Sequence, residues 1–160
     1  MAIGADTFAY RGRLPHLSNE DKTYYVTFCT KDRKLLLPEA RDIPLGCCVH
    51  GHPSLYLLHC AVVMPDHVHI LMTPNADATV PRIMNGIKGA SSHLVQHHFG
   101  SSGVLWQRES FDRIVRKTED LAEIADYICN NPVRKGLVSR PDDYRWIWRS
   151  WVEGRTLSRT

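Results

Sequence analysis

The chain has 160 residues, of which 43% are hydrophobic and 23% charged, a balance that fits one folded domain and excludes a disordered, collagen-like or coiled-coil chain. Twenty Lys and Arg stand against seventeen Asp and Glu, so the net charge of +3 permits a nucleic-acid partner without arguing for one. The longest apolar run, Leu55 to Met64, is broken by His59 and is far short of the roughly 20 residues that a membrane span requires.

Residues 1–22 are polar, carry Gly4, Gly12 and Pro15, and read as an irregular arm with no secretory signal, so a cytoplasmic location is expected. From Thr23 to Thr30, Tyr24, Val26 and Phe28 alternate with Tyr25, Thr27 and Cys29, the period of a half-buried strand. Glu39 to His52 is ambiguous, because Pro44 and Gly46 interrupt a helical spacing over Ile43, Leu45 and Cys48. Leu55 to Val63 reads as a strand covered on both faces, and Met64-Pro65-Asp66 breaks it. His67 to Thr73 then resumes period two, which predicts a hairpin.

Thr79 and Pro81 open a helix in which Ile83, Ile87, Leu94, Val95 and His98 keep helical spacing until Gly100. Gly86 and Gly89 weaken that helix slightly. Val104 to Val115 mixes aromatic, aliphatic and charged residues and is expected to be extended in part. Thr118 is expected to cap a second helix, with Leu121, Ile124, Ala125 and Ile128 as its stripe and Pro132 as its stop. This order predicts an α+β domain over 23–138, an antiparallel sheet with helices packed on one face. Residues 139–160 form a basic tail in which Trp146, Trp148 and Trp151 are expected to pack rather than stack on bases. The five cysteines are odd in number and lack CxxC spacing, so reduced packing residues are expected.

His67 and His69 project from one face of their strand and have the spacing to hold one cation, although a strand histidine is more often a packing residue. Tyr127 lies about 100° from the centre of its helix stripe, and Asn131 falls within about 40° of it, so phenol and amide share an edge. A half-buried tyrosine beside a helix cap gives the same pattern. Arg108, Arg113, Arg116, Lys117, Arg134 and Lys135 bracket Tyr127, with Lys88 on the preceding helix; as a cluster they favour DNA phosphates over a plain solvated surface. Trp106 and Gln107 are candidates to stack on or pair with an unpaired base, Trp106 being equally suited to a core.

The three blocks MPDHVHILM, LWQRESFDRIVR and ADYICNNPVRKGLV, in this order, resemble the single-tyrosine HUH transposases, and most closely the REP-associated tyrosine transposases. The resemblance spans 23–138. It implies a ferredoxin-like or RRM-like fold, His67, His69 and Asn131 as ligands of a divalent metal, Mg²⁺ or Mn²⁺, and Tyr127 as the nucleophile. It further implies an enzyme that nicks single-stranded or hairpin DNA at REP-like repeats through a 5′-phosphotyrosine, acting as a monomer or homodimer. A domesticated protein that binds such hairpins without cutting them is the alternative. Asp66 stands where relatives often have Asn.

Overall fold

The alternating residues after Thr23 form β1 (Tyr24–Cys29), and the hairpin expected around Pro65 forms β2 (Tyr56–Val63) and β3 (His67–Pro74). The computed structural model describes residues 21–150. The arm at 1–20 and Trp151 with the rest of the tail lie outside the described residues. Between β1 and β2 the ambiguous segment is a helix, α1 (Asp42–His50). Pro44 is tolerated because it stands in the first turn, where its missing N–H has no intrahelical partner to lose.

The helix expected from Thr79 is α2 (Val80–Phe99); the Thr79 hydroxyl accepts from the Arg82 N–H, and Gly100 closes the helix at φ 65°. Phe111–Ile114 forms the short edge strand β4, and Ile147–Arg149 forms β5. All neighbours pair antiparallel in the order β4-β1-β3-β2-β5. The first four strands, with α1 joining β1 to β2 and α2 joining β3 to β4, make the expected ferredoxin-like sheet. Residues beyond 138 extend it by one strand.

The single covered face of the sequence reading requires correction, because helices lie on both sides of the sheet. Val26, Phe28, Val68, Ile70 and Met72 pack with Leu45 and Cys48 of α1 and with Ile83, Met84 and Ile87 of α2. On the opposite face Cys60, Val62 and Leu71 pack with Ala122, Ala125, Ile128 and Cys129 of α3 (Leu121–Cys129). A register irregularity in β2 between Leu58 and Cys60 switches its alternation, which is why Leu58 joins the first core and Cys60 the second. Trp148 closes the first core, while Tyr144 and Ile147 close the second. Among the described residues no helix is long and apolar enough to cross a membrane. All five cysteines are free thiols, four of them buried.

Two boundaries of the third helix also differ from expectation. Its cap is Asp120, whose carboxylate accepts from the N–H groups of Ala122 and Glu123 at 2.9 and 3.4 Å, rather than Thr118. The helix stops at Cys129, and Pro132 sits instead in the first turn of the short α4 (Asn131–Arg134).

At the β2 irregularity His59 is buried, with Nε2 2.8 Å from the Thr73 hydroxyl. Burial, then the neighbouring His52, pushes its pKa down to about 4. The unfolded chain takes up this proton near pH 6.5, so between these values it holds more protons than the fold and stability falls as the solution is acidified. His59→Gln is expected to reduce the stability lost between pH 7 and pH 4 by about 3 kcal/mol. Urea titrations at the two pH values measure it, and an unchanged loss in the variant refutes it.

Candidate active site

β3 is the central strand, and its pleat sends Val68, Ile70 and Met72 into the first core while His67, His69 and Leu71 face the other way. The two imidazoles meet at 4.7 Å between centroids, nearly perpendicular. Each has its Nδ1 engaged. His67 Nδ1 lies 2.6 Å from Asp66 Oδ1, and His69 Nδ1 lies 2.9 Å from the Thr27 hydroxyl and 3.3 Å from the Tyr25 hydroxyl. Burial alone would raise the Asp66 pKa, but hydrogen bonds from Arg33 and His67 outweigh it and hold the carboxyl below its usual value. An ionised Asp66 only accepts, so His67 donates from Nδ1 and its Nε2 is the ring atom turned to other partners. Burial first, then the charges of His67, Arg134 and Lys135, drives the His69 pKa to about 3 and keeps that ring neutral.

Asp66 is itself fixed by a strained turn. Asp32 and Arg33 adopt φ 57° and 54°, a left-handed backbone that costs non-glycine residues energy, and the turn places Arg33 Nε 2.9 Å from Asp66 Oδ2. The Asp66 carbonyl accepts from the Thr30 N–H at 2.9 Å, which ties the end of β1 to the entry of β3.

α3 crosses the histidine face and carries Tyr127 on its exposed flank, at 48% exposure. Asn131, in the turn that follows, is only 7% exposed. Arg134 joins the two: its guanidinium lies 3.8 Å from the Tyr127 ring centroid, donates to the Tyr127 carbonyl at 2.7 Å, and approaches Asn131 Oδ1 at 3.4 Å. The Tyr25 hydroxyl, beside His69, has its pKa raised by burial and next by the Tyr127 phenol. His69 thus bonds to both β1 hydroxyls, and the phenol of Tyr127, on a helix 58 residues later, lies close enough to act on the Tyr25 hydroxyl.

This donor set fits a divalent cation. Two Nε2 atoms are unengaged by the hydrogen bonds that fix their rings, and the Asn131 amide oxygen has a second lone pair beside the one directed at Arg134. Among the described residues no three His, Cys, Asp or Glu side chains form a metal cluster, so a cation held at the histidine pair would take any third protein donor from an amide, a hydroxyl or a backbone carbonyl.

The basic residues divide. Arg108, Arg113, Arg116, Lys117, Arg134 and Lys135 are exposed, with Arg113 paired to Glu119 at 2.9 Å and lying 6.0 Å over the Tyr25 ring. Lys88 does not join them. It lies over Phe28 on the opposite face, bonded to the Arg108 carbonyl and the Ser110 hydroxyl, each at 3.1 Å. Trp106 takes the core reading rather than the stacking one: at 4% exposure it packs edge-on against Phe28, and its Nε1 donates to the Ser91 hydroxyl at 2.9 Å. Gln107 is half-buried and its N–H donates to the Cys29 carbonyl, which anchors the loop to β1.

Sequence reasoning passed over Thr27, Tyr25 and Arg33, and it noted Asp66 without assigning it a role. The period-two reading of β1 contained a signal for the first two, since it placed both on the face away from Val26 and Phe28. Only the register, with Thr27 opposite His69, brings them to the imidazole.

A family model described as "Transposase IS200 like" matches residues 19–131. A putative REP-associated tyrosine transposase of Haemophilus influenzae is 27% identical over 137 residues, 76% of each chain. A REP-associated tyrosine transposase of Escherichia coli is 31% identical over 84 residues, covering 52% of this chain and 48% of that one. Among solved structures, a REP-associated tyrosine transposase bound to a REP hairpin superposes with a TM-score of 0.61 at 22% identity, covering 84% of this chain and 82% of that one, a likeness of fold.

Proposed function

The chain belongs to the IS200-like transposase family, and on that premise we propose that it nicks single-stranded DNA beside hairpin-forming repeats and passes the cut strand on through a phosphotyrosine. The observation that carries this reading is that the His67–His69 pair lies on the sheet face crossed by α3, the helix that presents Tyr127. The hairpin is taken from the relative whose structure holds a REP hairpin.

His67 and His69 through Nε2, with Asn131 through Oδ1, would hold a divalent cation such as Mg²⁺ or Mn²⁺, whose chemistry here is neutralising charge on the scissile phosphate. Arg134 and Lys135 add fixed positive charge at the same place and draw the DNA backbone in. The Tyr127 oxygen attacks phosphorus and forms an O–P bond, while the bond from phosphorus to the 3′ oxygen breaks. The phenol proton leaves to water at its exposed edge, and the departing oxygen gains one to become a 3′-hydroxyl. Attack by another 3′-hydroxyl on the phosphotyrosine reverses the exchange and joins strands without ATP. Asp66 and Thr27 take no part in bond making; Asp66, an acceptor, sets the Nδ1 of His67 as a donor, and Thr27 holds the orientation of the His69 ring.

Incubating the protein with a DNA hairpin carrying single-stranded flanks and Mn²⁺ is expected to give a denaturation-resistant protein–DNA adduct, mapped by peptide mass spectrometry to Tyr127 and absent in EDTA. Hairpin binding that persists in EDTA, with no adduct under any divalent ion, would establish the non-cutting alternative instead. Asp66→Ala is expected to weaken Mn²⁺ binding about 10–100-fold by isothermal titration, whereas Asp66→Asn, which still accepts from Nδ1, retains most of the affinity. Equal affinities for wild type and Asp66→Ala would remove Asp66 from this role.

A further inference from the structure

Every residue of β4 is exposed, and Phe111, at its start, is 66% exposed. A lone surface aromatic needs no explanation by itself. Its position in the sheet does. Phe111 stands directly opposite Thr27, and Thr27 stands directly opposite His69, so the three share one cross-strand row and one face. The contact between the Thr27 hydroxyl and His69 Nδ1 fixes which face that is. Two strand spacings separate the Phe111 and His69 backbones, roughly 10 Å, the reach of a nucleotide neighbouring a phosphate held at the histidines.

The next residue on the same face is Arg113, placed over the Tyr25 ring, with exposed Arg116 and Lys117 just beyond the end of the strand. An open aromatic ring beside this positive edge matches the two chemical halves of an unpaired nucleotide, a flat base and an anionic phosphate. β4 is the outer strand of the sheet among the described residues, so no further strand covers the ring.

We propose that Phe111 is a stacking platform for an unpaired base adjoining the phosphate that Tyr127 attacks. This rests on the single-strand nicking reading above and adds to it a binding position on the edge strand. Trp106, the other stacking candidate, is buried in the core and leaves this role to Phe111.

The test uses the full chain and a fluorescent DNA hairpin with and without eight-nucleotide single-stranded flanks, with affinities measured by anisotropy in EDTA so that no strand is cut. Phe111→Ala and Phe111→Leu are expected to weaken binding of the flanked hairpin about 5- to 100-fold, whereas Phe111→Trp stays within a few-fold of wild type. The bare hairpin is expected to bind all four proteins alike. With 5-iododeoxyuridine in the flank, irradiation is expected to cross-link the peptide that contains Phe111.

Wild-type affinity of Phe111→Ala for the flanked hairpin, in a protein that still forms the adduct, overturns the platform and leaves the nicking reading intact. Equal affinities of Phe111→Leu and Phe111→Trp overturn it as well, because apolar contact without a ring would then suffice. A wild type that forms no adduct and binds flanked and bare hairpins alike overturns both. A dimer present in wild type and lost in Phe111→Ala, with DNA affinity unchanged, assigns the ring to a second copy of the chain and overturns the platform.

Discussion

Replacing Tyr127 by Phe is expected to abolish the protein–DNA adduct and lower strand cleavage by a factor on the order of 10⁴ or more, as loss of a covalent nucleophile does. The fold should not register the change. The phenol is half exposed, and the main contact to its ring, the Arg134 guanidinium at 3.8 Å, is with the aromatic face that Phe retains. The thermal midpoint and the affinity for a flanked hairpin are therefore expected to stay near wild type while the chemistry is lost. Gel analysis under denaturing conditions, with calorimetry and anisotropy on the same preparation, separates these effects. An adduct of undiminished yield in Tyr127→Phe would remove the nucleophile from α3, and the neighbouring Tyr25 phenol would be the first place to look, through Tyr25→Phe.

The second large effect belongs to the imidazoles. His69→Ala and His67→Ala are each expected to reduce Mn²⁺ affinity by more than the 10–100-fold that loss of an outer-shell partner costs, and to stop adduct formation at ordinary metal concentrations. Thermal denaturation gives a readout independent of DNA, since a ligand that binds only the folded chain raises its midpoint. Mn²⁺ is expected to raise the midpoint of wild type and to leave that of either variant unmoved. The variants differ without metal. Loss of the His69 ring strands the Thr27 and Tyr25 hydroxyls, at roughly 1–2 kcal/mol, whereas His67→Ala leaves Asp66 paired with Arg33. An unchanged Mn²⁺ response in both variants would refute the proposed ligand pair.

The parts of this arrangement that a sequence can carry are those with a short period. The alternation of His67, Val68 and His69 sets which face each side chain takes, and the strand order of a ferredoxin-like sheet follows from the succession of elements. What joins Thr27 to His69 is a pairing across 42 residues, and no local pattern contains it. The two-sided layering has the same origin. The stripe of α3 announces that the helix is buried on one side, but which face of the sheet receives it depends on Cys60, Val62 and Leu71 lying uncovered there, and on the irregularity at His59 that turns Cys60 toward it.

Trp106 was open to both readings because an indole in a polar run reads equally as exposed. Its ring is buried because Ser91, on a helix 15 residues earlier, offers the hydrogen bond that Nε1 requires. The cap moved from Thr118 to Asp120 because a carboxylate two residues nearer the stripe reaches both Ala122 and Glu123. Pro44 raised doubt that vanishes once its place in the first turn of α1 is known.

The position of β3 in the middle of the sheet has a dynamic corollary. The strand that carries both imidazoles is flanked by β1 and β2, and each of those has a further neighbour, so its amides exchange with solvent deuterium only when most of the domain opens. Tyr127 rides on a nine-residue outer helix that is interrupted at Asn130 and buries small residues such as Ala122 and Ala125 against the sheet. Its amides are expected to exchange much sooner. The half of the site that holds still is the sheet's, and the half with freedom to shift along an incoming strand is the helix's.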